Sequence, residues 1–91
     1  MSFTHVSGKD AGAIKLYTLT TCVWCKKTKA LLDELGVAYD YIDVDALKGD
    51  DQKKILDEVK QCNPACTFPT IKIGETCIRG FKENDIRSAL S

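Results

Sequence analysis

Apolar positions along the chain recur with two different periods. Ala13-Ile14-Lys15-Leu16-Tyr17-Thr18-Leu19 mixes apolar, aromatic and β-branched residues as a strand does. From Cys25 onward, Thr28, Leu31, Leu32 and Leu35 repeat at helical spacing, and Gly36 stops the run. Val37 to Val44 reads as a second strand, and strand–helix–strand order implies a right-handed parallel crossover. Asp43 and Asp45 can open the next helix, with Lys48-Gly49-Asp50 making its start irregular. That helix places Ile55, Leu56, Val59 and Cys62 on one face and Lys53, Lys54, Asp57, Glu58 and Lys60 on the other; Asn63-Pro64 ends it. A third strand runs from Phe68 to Ile73. The tight Gly74-Glu75 turn requires an antiparallel hairpin into Thr76-Cys77-Ile78. Glu83 to Leu90 is a last short helix with acidic residues in its first turn. Residues 1–12 show no period and read as a flexible arm carrying a solvated His5. The order β-α-β-α-β-β-α predicts an α/β domain over residues 13–91, with a mixed four-stranded sheet flanked by helices.

Composition narrows the classes. Ninety-one residues make one small domain, and 44% hydrophobic residues suffice for a core. Thirteen basic and thirteen acidic residues cancel and are spread along the chain, so no basic cluster points to nucleic acid. No apolar run approaches a membrane span, and the first ten residues lack the apolar core of a signal peptide. Five cysteines, an odd number, argue against a closed disulfide framework and for a reducing, cytoplasmic setting. A monomer is expected.

The chemistry is concentrated in Thr20-Thr21-Cys22-Val23-Trp24-Cys25-Lys26-Lys27. A C-x-x-C between strand and helix reads as a redox motif. Residues three apart share a helix face, close enough for two thiols to form a disulfide. Cys22 at the helix start faces unpaired N–H groups and the positive end of the dipole, which favour the nucleophilic thiolate. Lys26, one turn along, adds a cation. Cys25 lies deeper, placed to resolve a mixed disulfide.

The strand order with this motif resembles the thioredoxin fold, and specifically the dithiol glutaredoxins. The resemblance rests on Tyr17 to Thr28, on Thr67-Phe68-Pro69-Thr70-Ile71, and on Gly74-Glu75-Thr76-Cys77-Ile78-Arg79-Gly80-Phe81. It implies that Cys22 is the nucleophile and Cys25 the resolving thiol. It also implies that Phe68–Pro69 is a cis bond beside the dithiol, with the Phe68 backbone able to pair with an extended substrate. Thr67, Gly80, Phe81 and Lys82 match positions that approach the γ-glutamyl end of glutathione, the implied co-substrate. Disulfide-containing proteins and glutathione mixed disulfides are the implied substrates, and no metal is expected. Three departures stand out. Val23-Trp24 replaces the family's usual Pro-Tyr, Leu19 replaces a lysine near the glycyl carboxylate of glutathione, and Arg79-Gly80 replaces Gly-Gly. Lys26, Lys27 or Lys60 are the nearest substitutes for the missing cation. Arg79-Gly80-Phe81-Lys82 is also similar to redoxins reduced by thioredoxin reductase.

Other readings stay beside this one. Cys22 and Cys25 could form half of a zinc site with Cys62 and Cys66. Cys62 reads as a small core hydrophobe and Cys77 as core or sheet edge. Cys66, next to Thr67-Phe68-Pro69, could join the redox chemistry or bond to Cys62 on oxidation. Trp24 suits either substrate contact or surface packing, and at least one of Lys26 and Lys27 an electrostatic role near the thiolate. An iron–sulfur cluster carrier using Cys22 and glutathione is the alternative from a different class, since Val23 removes the proline that tends to prevent it.

Overall fold

Strand β2 (Ile14–Thr18) sits at the centre because both of its faces are covered. Ile14 and Leu16 point to one side and Tyr17 to the other, all buried, as a two-residue period dictates. The computed structural model describes residues 3–90. Around β2 lie β1 (Thr4–Val6), α1 (Val23–Leu35), β3 (Tyr39–Asp43), α2 (Gly49–Cys62), β4 (Thr70–Ile73), β5 (Thr76–Arg79) and α3 (Glu83–Leu90). A single 3₁₀ turn, Val44–Ala46, joins β3 to α2.

The sheet has the order β1-β3-β2-β4-β5. Strand β2 runs parallel to β3 and antiparallel to β4, and β4–β5 is the expected hairpin. The α1 residues Leu31 and Leu32 and the α3 residue Ile86 pack on one face with Ile14, Leu16, Ile71, Ile73 and Ile78. On the other face α2 contributes Ile55 and Val59 against Tyr17, Ile42 and Val44, with Cys66 and Phe68 at the margin. Gly36 ends α1 in the left-handed conformation (φ 70°).

The sheet has five strands rather than the expected four. The fifth comes from the segment read as a flexible arm: β1 pairs antiparallel with β3 at the sheet edge. The link from β1 is held too, since Lys9 exchanges hydrogen bonds with Gly36 and Ala38 at 2.7 and 2.9 Å. Gly8 passes so close to the α1–β3 corner that a Cβ there would meet the Val37 carbonyl carbon at 2.6 Å. His5 is not simply solvated; its Nδ1 lies 2.7 Å from Asp40 Oδ1. Met1, Ser2 and Ser91, included in the expected arm and domain, lie outside the described residues.

A second correction concerns cysteines. Cys62 is bonded to Cys77, with a Cα–Cα distance of 5.3 Å, and Cys66 is free. Cys62 is therefore neither a core hydrophobe nor the partner of Cys66. Its sulfur is committed to Cys77, so the four-cysteine set considered for zinc is not assembled. No helix of the described residues is long and apolar enough to cross a membrane.

Candidate active site

Leaving β2, the chain makes a turn at Thr20-Thr21 that is fastened from outside. Asp45 accepts from the Thr20 N–H at 2.9 Å and from its hydroxyl at 2.6 Å. The same bonds hold the Asp45 carboxyl below the usual carboxylate range. From its neighbours Asp45 reads only as a helix opener, since nothing local ties it to Thr20, 25 positions earlier. The Cys22 N–H donates to Leu19 O at 3.2 Å, which sets the first cysteine at the helix entrance.

Cys22 is the N-cap of α1, with extended backbone angles, and its Sγ accepts from the Cys25 N–H at 3.2 Å. A helix start leaves such N–H groups without intrahelical partners, so the sulfur answers one of them. Cys22 is half-exposed, whereas Cys25 is 1% exposed. Burial, followed by the hydrogen bond that the Cys25 thiol donates to Cys22 and by the charge of Cys22, pushes the Cys25 thiol up to about 12, opposed in part by the Leu19 backbone and the Lys29 charge. One sulfur is thus offered to solvent and the other is kept beneath it as a protonated thiol.

Trp24 is 54% exposed and stacks on Phe81, with ring centroids 5.8 Å apart and planes 27° from parallel. The structure thereby joins two expected site residues that lie far apart in the chain. The ammonium group over the Trp24 ring, at 4.6 Å, belongs to Lys27 and not to Lys26, which is exposed. Val23 is 62% exposed beside them, so the dithiol opens beside an apolar and cationic rim.

The segment after α2 is organised by a fully buried Asn63. Its Nδ2 donates to Thr67 O, Thr67 Oγ1 and Thr70 Oγ1 at 2.9–3.1 Å, and the Thr70 hydroxyl donates back to Thr67 O at 2.8 Å. Asn63, which the sequence reading used only as a helix stop, is therefore the residue that shapes this loop. The Phe68–Pro69 bond is cis, as the resemblance implied. The Gly80 N–H donates to Pro69 O at 2.8 Å, tying the end of β5 to the proline, and Gly80 has a φ of 82° that suits glycine. Lys82 follows at the head of α3, exposed, and lines a groove of about 500 Å³ with Arg79 and Asp85. Thr67, Phe68, Pro69, Gly80 and Phe81 are thus linked through two short hydrogen-bonded segments. Leu19 packs at the margin of the α2-side core and offers no charge.

Comparison with known proteins agrees with this geometry. The glutaredoxin family model matches residues 14–78, which include the dithiol and Thr67-Phe68-Pro69; Gly80, Phe81 and Lys82 lie just past the matched span. An uncharacterized glutaredoxin-like 8.6 kDa protein in the rubredoxin operon of Clostridium pasteurianum is 36% identical over 73 residues, covering 80% of this chain and 91% of that protein. The crystal structure of the glutaredoxin from Methanosarcina mazei shares 49% identity at a TM-score of 0.91, covering 98% of this chain and 87% of that one. Methanoredoxin of Methanosarcina acetivorans shares 44% identity at a TM-score of 0.91, covering 100% and 96%. With a strand–turn–helix cysteine pair, a cis-proline loop and a matching five-stranded domain, the chain belongs to the glutaredoxin family of thiol–disulfide oxidoreductases.

Proposed function

We propose that the Cys22/Cys25 pair reduces protein disulfides and glutathione mixed disulfides and is itself reduced by glutathione. The observation that carries this is the division of labour between the sulfurs: Cys22 half-exposed under a helix N–H, Cys25 buried and protonated one turn below. The Cys22 thiolate attacks a substrate disulfide, forms a mixed disulfide and expels one substrate thiolate. Cys25 then attacks the Cys22 sulfur, and its proton goes to the departing second thiolate. The dithiol has lost two electrons and the substrate has gained them. One glutathione thiolate reopens the Cys22–Cys25 bond by attack at Cys22, and a second releases oxidised glutathione. On glutathione mixed disulfides Cys22 alone suffices for the exchange.

In this reading Thr67, the Phe68 backbone, Gly80, Phe81 and Lys82 seat the γ-glutamyl end of glutathione. The start of α3 and Lys82 supply positive potential for its carboxylate. Trp24 and Phe81 form the wall beside the sulfur. The glycyl end meets Leu19 where the family commonly has lysine, so glutathione is held more weakly there. An exposed ion pair contributes no more than about 1 kcal/mol, so the loss is several-fold at most.

The test offers the oxidised protein reduced glutathione and, separately, thioredoxin reductase with NADPH. Reduction by glutathione, improved by Leu19→Lys, is the expected result. Efficient reduction by thioredoxin reductase, with glutathione rates unchanged by Leu19→Lys, would make the donor named here wrong while leaving the dithiol chemistry standing.

A further inference from the structure

The Cys62–Cys77 bond has no part in the chemistry above. Cys62 is the last residue of α2 and half-buried; Cys77 lies on β5, the outermost strand, and is exposed. Both cysteines line a concavity of about 240 Å³ whose charged rim is Lys15, Lys72, Glu58 and Glu75. Strand register places Lys72 directly across from Cys77, and Lys15 directly across from Lys72. Two lysines therefore stand on neighbouring strands beside an exposed sulfur. Like charges directly opposite each other destabilise a sheet unless something answers them. Asp40 stands across from Lys15 on β3, but among the described residues neither lysine is in an ion pair; Lys15 lies over the Phe3 ring at 5.3 Å, and Glu58 accepts the Tyr17 hydroxyl at 3.0 Å.

We propose that Cys62–Cys77 is a second, exchangeable disulfide, attacked at Cys77 by a small carboxylate-bearing thiol whose carboxylate is received by Lys72 and Lys15. The incoming thiolate bonds to Cys77 Sγ and the Cys62–Cys77 bond breaks. Cys62 leaves as a thiolate and takes a proton from water. A second thiol of the same class attacks its own kind on Cys77, releasing a low-molecular-weight disulfide and the Cys77 thiol. Two thiols are oxidised and one protein disulfide is reduced. Access selects Cys77 for the attack, and Lys72 supplies the charge that draws an anionic thiol to it rather than a neutral one. Opening the bond frees the end of α2 from β5, while the Asn63 amide and the Gly80 N–H keep their hold on the segment carrying Thr67, Phe68 and Pro69. This inference does not depend on glutathione acting at Cys22.

The experiment uses the full chain with Cys22→Ser and Cys66→Ser, which leaves the buried Cys25 as an internal control. Serine is a preferred N-cap, so α1 keeps its start, and a near-ultraviolet circular dichroism spectrum like the wild type's establishes the fold. The protein is incubated with glutathione under native conditions, quenched with iodoacetamide and mapped by mass spectrometry. Glutathione attached to Cys77, followed by two alkylated thiols at Cys62 and Cys77, is the expected course. Adding Lys72→Gln should slow it by about three- to fivefold with glutathione and leave the rate with neutral 2-mercaptoethanol unchanged. A bond that opens only in denaturant, an adduct on Cys62 instead of Cys77, or equal slowing with both thiols would overturn the proposal.

Discussion

Alkylation of the reduced protein separates the two sulfurs of the Cys-x-x-C pair. With its thiol pushed up to about 12, Cys25 is a thiolate in about one molecule in 10⁵ at pH 7. An ordinary thiol of pKa about 8.5 is ionised in roughly one molecule in thirty at that pH. Only the thiolate reacts, so Cys25 should react about three thousandfold more slowly than an ordinary thiol, and its 1% exposure slows it further. Iodoacetamide sufficient to modify half-exposed Cys66 should leave Cys25 untouched, as read by quenching, digestion and mass spectrometry. Cys22→Ser removes the hydrogen bond and charge contributed by Cys22 but not burial, which is the largest cause. Cys25 should therefore remain much slower than Cys66 in that variant. Labelling of Cys25 at the Cys66 rate, in either protein, would refute the reasoning that burial sets its protonation.

Three further outcomes follow from particular contacts. Tyr17→Phe deletes a hydroxyl that donates to Glu58 at 3.0 Å, and should lower the unfolding free energy by about 1 kcal/mol, read as a lower urea midpoint at unchanged slope. Asp45→Asn weakens the grip on Thr20. A carboxyl held below its unfolded value contributes stability above the unfolded pKa and loses it as pH falls through the folded one, so wild-type and variant stabilities should differ at neutral pH and converge in acid unfolding curves. Trp24→Ala removes the stack on Phe81, worth about 1 kcal/mol, and should raise KM for a glutathionylated peptide several-fold while lowering the urea midpoint by about as much as Tyr17→Phe does.

What the sequence disclosed were features with a local cause. The helical spacing of Thr28, Leu31 and Leu32, the Gly36 stop, the Gly74-Glu75 hairpin and the strand-to-helix cysteine pair each write a period or a turn into adjacent residues. Strand β1 was hidden because three residues are too few to show a period, and its pairing depends on β3 more than thirty residues away. The need for glycine at position 8 arises only where the chain meets Val37. Cys62 shares the stripe of Ile55 and Val59, but at the last turn of α2 that stripe reaches the sheet's edge strand, where Cys77 meets it. The Asp45 clasp on Thr20 and the Trp24–Phe81 stack are equally tertiary, joining residues that no motif spacing relates.

The central claim is that Cys22 is the exchanging sulfur and Cys25 the one that resolves it. Trapping with oxidised glutathione tests it most directly: reduced wild-type, Cys22→Ser and Cys25→Ser proteins are mixed with it, quenched in acid, and mapped by mass spectrometry. A stable glutathione adduct on Cys22 in Cys25→Ser, an internal Cys22–Cys25 disulfide in the wild type, and no adduct at Cys25 in Cys22→Ser are the expected results. A glutathione adduct on Cys25 in Cys22→Ser, or a Cys25→Ser protein that takes up none at Cys22, would contradict it.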